Sequence, residues 1–155
     1  MPYTDDGQEF LYADSSGEVS ALNGEVIDSL YCFTVEGRVC FCWLLIKSDS
    51  KGYRFFVEDG FICYFERCSK DTFTEEFEEY LNEREVVDLT TRTQLQGRSI
   101  ARIQARHLAS EKMIQLNIET SEGIVLRLRG DWRNELDEST LLLKSKGDSE
   151  FVCLL

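Results

Sequence analysis

Between Met113 and Thr120 the chain alternates strictly: Ile114, Leu116 and Ile118 are apolar, and Gln115, Asn117 and Glu119 are polar. A period of two puts one set on each side of a strand. After the turn Ser121-Glu122-Gly123, Leu126 and Leu128 alternate with Arg127 and Arg129, so the two runs read as a hairpin with one buried face. Residues 38–47 are apolar on both sides. Cys40, Cys42, Leu44 and Ile46 are expected to point one way, and Val39, Phe41, Trp43 and Leu45 the other. A strand of that kind belongs in the middle of a sheet, covered on both faces. Residues 25–35, 53–58 and 61–67 read as further strands, with turns at Glu36-Gly37, 48–52 and Asp59-Gly60. Residues 141–144 and 151–155 are expected to close the sheets. Residues 10–12 are expected to add one short strand to a polar, turn-rich beginning.

The period becomes helical over 71–84. Phe73, Phe77, Tyr80 and Leu81 share one face; Glu75, Glu76, Glu78, Glu79 and Glu83 take the other. Thr72, three residues before Glu75, has the spacing of a capping box.

The pattern is stated twice. Leu22-x-Gly24-x-x-Ile27-x-x-Leu30 returns as Leu95-x-Gly97-x-x-Ile100-x-x-Ile103, 73 positions on. Leu44-x-Ile46 matches Leu116-x-Ile118 at an offset of 72, and Gly52-x-x-Phe55-x-Val57 matches Gly123-x-x-Leu126-x-Leu128 at 71. Self-similarity at a nearly fixed offset signals two copies of one supersecondary unit. The changes of offset are expected in turns. The repeat also resolves 99–107, where Arg98, Arg102 and Arg106 are spaced like a helical stripe. The matching segment reads as strand, so strand is expected here too, with a bulge reconciling the spacing of Ile100 and Ile103. The fold class expected is mainly β (α+β). It is an antiparallel sandwich or open barrel built from two related β-meander halves, about 22–67 and 95–145. A single domain covers 1–155, with one amphipathic helix near 71–84.

Charge narrows the function classes. The 155 residues carry a formal net charge of -12. Residues 1–90 hold 20 acids and 7 bases; residues 91–155 hold 9 acids and 10 bases. Such a chain repels phosphate backbones, which argues against nucleic acid as a partner. It attracts and steers a basic protein. The apolar runs are too short to span a bilayer. The first residues lack the basic and apolar regions of a signal peptide, so a cytoplasmic protein is expected, with no membrane partner.

Six cysteines (Cys32, Cys40, Cys42, Cys63, Cys68, Cys153) raise the question of zinc or disulfides. Cys40-x-Cys42 is too tight for a structural zinc knuckle. The second copy has no thiol at the positions matching Cys32, Cys40, Cys42, Cys63 or Cys68. Those five are therefore expected to be buried as small apolar side chains, and all six cysteines to be reduced and metal-free, with no metal or other cofactor.

Catalytic motifs are absent from the sequence. His107 is the sole histidine, and there is no nucleophile elbow, phosphate loop or dinucleotide fingerprint. Two candidate sites remain. The first is the acidic helix face, Glu75, Glu76, Glu79 and Glu83, as a docking site for a basic protein. Its rival is internal pairing with Arg98, Arg102 and Arg106. The second gathers Asp59, Glu66, Asp131 and Arg133 in a cleft between the halves, where paired carboxylates would run acid–base chemistry. The favoured expectation is a non-catalytic acidic interaction protein of binding or inhibitor type. The alternative is a small carboxylate-based hydrolase or ligand-binding enzyme.

Overall fold

The computed structural model describes residues 22–154 except 36–37, 48–50, 59–61, 83–84, 109–112 and 132–137. Among the described residues ten strands and one helix follow one another, all but β5 in the order of the expected pattern. The first half holds β1 (Ile27–Val35), β2 (Arg38–Ile46), β3 (Lys51–Glu58) and β4 (Ile62–Ser69), then α1 (Lys70–Asn82) and the short β5 (Val86–Asp88). The second half holds β6 (Ile100–Leu108), β7 (Met113–Thr120), β8 (Val125–Asp131), β9 (Glu138–Lys144) and the two-residue β10 (Val152–Cys153). One sheet runs β4-β3-β2-β1-β5 and the other β10-β9-β8-β7-β6, with every neighbouring pair antiparallel. Each sheet is thus a four-strand meander with one short strand at an edge. The expected strand at 10–12 lies outside the described residues. The sequence pattern did not foresee β5, which is only three residues long.

The two sheets pack face to face as a sandwich, not a closed barrel. Ile27, Leu30, Cys32, Cys42, Leu44, Ile46, Tyr53 and Phe55 of the first sheet meet Ile100, Ile103, Ile114, Leu116, Ile118, Leu126, Leu128 and Leu141 of the second in one buried core. The first sheet carries a second apolar layer on its outer side, where Phe33, Phe41, Trp43 and Leu45 are buried. Phe73 and Phe77 of α1 pack there, with ring centroids 5.3 Å from Phe73 to Trp43 and 5.4 Å from Phe77 to Tyr31. The order of layers is helix, sheet, sheet. The expectation that β2 is central and covered on both faces holds, because the sandwich core and the helix supply the two covers.

The motifs Leu22-x-Gly24-x-x-Ile27 and Leu95-x-Gly97-x-x-Ile100 meet at the corner where the sheets join. Val26 and Ser99 form a bridge there. Around it the hydrogen bonds are reciprocal. Gly24 N–H donates to Ile100 O (2.7 Å) and Gly97 N–H to Ile27 O (2.8 Å); Ile27 N–H donates to Arg98 O (2.9 Å) and Ile100 N–H to Glu25 O (2.8 Å). Each bond maps onto its counterpart by an offset of 73, so a local two-fold axis passes through the bridge. Gly24 and Gly97 have φ of +89° and +80°, a region that L side chains rarely adopt.

Immediately beyond, β1 has an extra residue at Asp28 opposite β2, and β6 has one at Ala101 opposite β7. These bulges reset the alternation. Ile27 and Leu30, three apart, both reach the core, as do Ile100 and Ile103. The strand and bulge expected over 99–107 are therefore present.

Three expectations need correction. The first concerns β2: Cys40 is itself a bulge, because Phe33 pairs with Phe41 and Thr34 with Val39. One extra residue inverts the alternation, so Cys40 is exposed and Val39 packs against the sandwich core. This bulge has no counterpart in β7, so one change of offset falls inside a strand. The second concerns the later offsets. Ile27 pairs with Ile46 and Ile100 with Thr120; Leu44 pairs with Tyr53 and Ile118 with Leu126. The register makes Leu44 equivalent to Ile118, not Leu116, and Tyr53 equivalent to Leu126. A shift of two residues preserves the apolar face, so alternation alone fits either match. The third concerns the helix, which begins at Lys70. Thr72 thus lies within its first turn instead of capping it.

Candidate functional site

The acidic helix face follows from how α1 packs. Phe73 and Phe77, one turn apart, hold it to the first sheet, which turns Asp71, Glu75, Glu78 and Glu79 outward, all exposed. Among the described residues no base forms an ion pair with any of these four. Glu76 lies within α1 but its side chain is outside the described set, and Glu83 is outside the described residues altogether. Asp71 stands in the first turn, where the helix dipole favours an acid.

The bases proposed as internal partners lie elsewhere. Arg98 pairs with Glu122, and Arg102 donates through Nε (3.1 Å) and Nη2 (3.3 Å) to the two oxygens of Glu119. Both acids belong to the second half. Arg102 and Arg106 stand on β6, in the sheet that α1 does not cover.

That outer side of the second sheet is basic. One row across the strands reads Arg106, Gln115, Arg129, Thr140; the next reads Gln104, Asn117, Arg127, Leu142. A third carries Arg102, Glu119, Val125 and Lys144. Arg127 Nε donates to the buried Asn117 Oδ1 at 2.8 Å, and its guanidinium lies 3.9 Å from the Phe151 ring centroid. Burial, reinforced by the charges of Arg129 and Arg106, pushes the Arg127 pKa down. Arg129 is half-buried, and its Nε is buried without a hydrogen-bond acceptor among the described residues. One row further, Asp131 stands opposite Glu138. The equivalent side of the first sheet carries Phe33, Trp43 and Leu45 under the helix. Within one architecture, the two halves have outer faces of opposite character.

Of the proposed cleft, Asp59 and Arg133 are outside the described residues. Glu66 stands on β4 opposite Arg54, and Asp131 ends β8 opposite Met113. The two acids thus belong to different sheets. His107 pairs with Ile114 through the backbone. No cluster of three or more potential metal ligands occurs among the described residues. No helix among them is long and apolar enough to cross a membrane.

The side chains of Cys63 and Cys68 lie outside the described set, and the four described thiols divide into two pairs. Cys32 and Cys42 face each other across β1 and β2, fully buried. The hydrogen bond that the protonated Cys42 thiol makes with Cys32, and then burial, raise the Cys42 pKa well above the ordinary thiol value. Cys40 and Cys153 are exposed, which for Cys40 is contrary to the expected burial. Cys40 is displaced by its bulge. Cys153 lies in the two-residue edge strand β10.

Searches against protein-family models, curated proteins and solved structures gave no match.

Proposed function

We propose that the protein is a non-catalytic interaction module whose acidic helix face receives a basic protein segment. The observation that carries this reading is the separation of charges. Asp71, Glu75, Glu78 and Glu79 point away from the sheet that holds α1, while Arg98 and Arg102 are engaged by Glu122 and Glu119 of the other half. Internal neutralisation of the helix is thereby disfavoured. The overall charge of -12 would steer a cationic partner toward it. The exposed thiols Cys40 and Cys153 suit a reducing compartment, which supports a cytoplasmic setting.

The test is affinity capture from the native source at low salt, followed by a wash at high salt. A basic protein that is retained at low salt and released as screening shortens supports the reading. Capture only of proteins that offer no basic surface, or of proteins indifferent to salt, contradicts it.

A further inference from the structure

The arginine-bearing outer face of the second sheet is distinct from the helix and carries charge of the opposite sign. Five bases with described side chains, Arg102, Arg106, Arg127, Arg129 and Lys144, stand there against one such acid, Glu119. The sandwich puts this face and the acidic helix on opposite outer sides of one molecule, so they cannot meet within it.

We propose that the face is the docking surface for α1 of a second copy of this chain. The inference rests on the reading of the acidic helix as a docking element, and it names the basic surface that element meets. Three observations support a helix-bearing copy as the occupant. First, the charges are complementary. Second, the dimensions agree. Arg106 and Arg129 share a row two strands apart, about 10 Å. Arg127 and Arg129 are two residues apart on β8, about 7 Å. On the helix, Asp71, Glu75 and Glu79 are successive i, i+4 positions, about 6 Å apart and about 12 Å end to end. Third, the face is pre-formed: Asn117 and Phe151 fix Arg127, and Arg129 Nε is buried without an acceptor among the described residues.

In this arrangement one helix is held between two sheets. Phe73 and Phe77 lie against its own first sheet, and its acids lie against the second sheet of the next copy. The repulsion between two chains of charge -12 opposes approach. At physiological ionic strength the screening length is about 8 Å, so the opposed patches outweigh distant charge at contact. The interface is heterologous. In a dimer one copy keeps an unoccupied helix and the other an unoccupied face, so growth does not stop there.

The experiment is sedimentation velocity of the purified full-length chain over a wide range of loading concentrations, in about 0.15 M and then about 1 M salt. The expected result is an average mass that rises with concentration past that of a dimer and returns to monomer at high salt. Two neutralised variants are then tested, Glu75→Gln/Glu78→Gln/Glu79→Gln and Arg106→Gln/Arg129→Gln, with circular dichroism melting to show that each is folded. Each alone should be monomeric. Mixed, they retain one usable interface and should form a 1:1 dimer and nothing larger. A wild-type chain that stays monomeric at every concentration overturns the proposal, as does a mixture that stays monomeric or a wild-type assembly that stops at a dimer. If the chain is monomeric but still captures a salt-sensitive basic protein, only this inference fails and the helix reading stands.

Discussion

Replacing Gly24 or Gly97 with alanine tests the junction between the halves. Both glycines have strongly positive φ, and a Cβ added at either would meet no atom within 4 Å. The cost is therefore backbone strain alone, about 1–2 kcal/mol for an L residue held in left-handed conformation. The reduced entropy of the unfolded chain offsets about 0.4–1 kcal/mol of that. The net loss is about 1 kcal/mol at each site, or about 2–4 °C in Tm for a chain of this size. The reciprocal hydrogen bonds around Val26 and Ser99 make the two sites equivalent, so the two losses should agree within about 0.5 kcal/mol. Urea denaturation monitored by circular dichroism gives both values, with the slope checking that unfolding remains two-state. A D-alanine at either position, introduced by semisynthesis, accepts positive φ and should stabilise. A stabilising L-alanine, or a large loss at one glycine and none at the other, would refute the symmetric junction.

Gly52→Ala should destabilise by about 1–3 kcal/mol and shift tryptophan emission, because the added carbon would lie 2.9 Å from Trp43 Cε3 and 2.6 Å from Leu45 Cδ2; an unchanged urea midpoint counts against this packing. Thr90→Val should cost about 1–3 kcal/mol in the same assay, since Thr90 Oγ1 accepts from Leu30 N–H at 3.1 Å in a buried setting and valine leaves that donor unpaired. Maleimide should label Cys40 and Cys153 in the native protein, and Cys32 and Cys42 only after unfolding; native labelling at Cys42 would contradict its burial. Burial, followed by the charge of Asp88, raises the Tyr31 pKa, so the unfolded chain loses this proton first as pH rises. That contribution to stability is complete below about pH 10 and disappears as pH climbs through the folded value, so Tyr31→Phe should flatten the alkaline fall in Tm.

Much of the fold was legible because its signals are local. Alternation marked the strands, and Phe73 with Phe77 marked the buried side of the helix. The three-residue spacing of Ile27 and Leu30, matched by Ile100 and Ile103, required a bulge if both were to reach the core. The Cys40 bulge left no such trace, since every residue from Val39 to Ile46 is apolar and either parity reads as buried. The register of β7 was ambiguous for a related reason: a shift of two keeps the same face inward. The basic face was the larger omission. Arg102 and Arg106 are four apart, a spacing that serves one face of a helix and one side of a strand equally well. Arg127 and Arg129 were recognised as outward-facing, but joining them to Arg106 required the pairing of three strands. The acidic helix face was visible from spacing alone, whereas its separation from the arginines depends on which sheet the helix covers, and no local pattern encodes that.

The most direct test of the interaction reading is capture by wild-type protein and by the Glu75→Lys/Glu78→Lys/Glu79→Lys variant, side by side from one lysate at low salt. These side chains are exposed, and among the described residues none has an ion-pair partner, so reversal should leave the melting temperature nearly unchanged. The expected result is a folded variant that no longer retains the basic partner held by the wild type. A folded variant that retains the same partner in the same amount would contradict the account, and so would a large fall in melting temperature, which would mean that the acids pair within the fold.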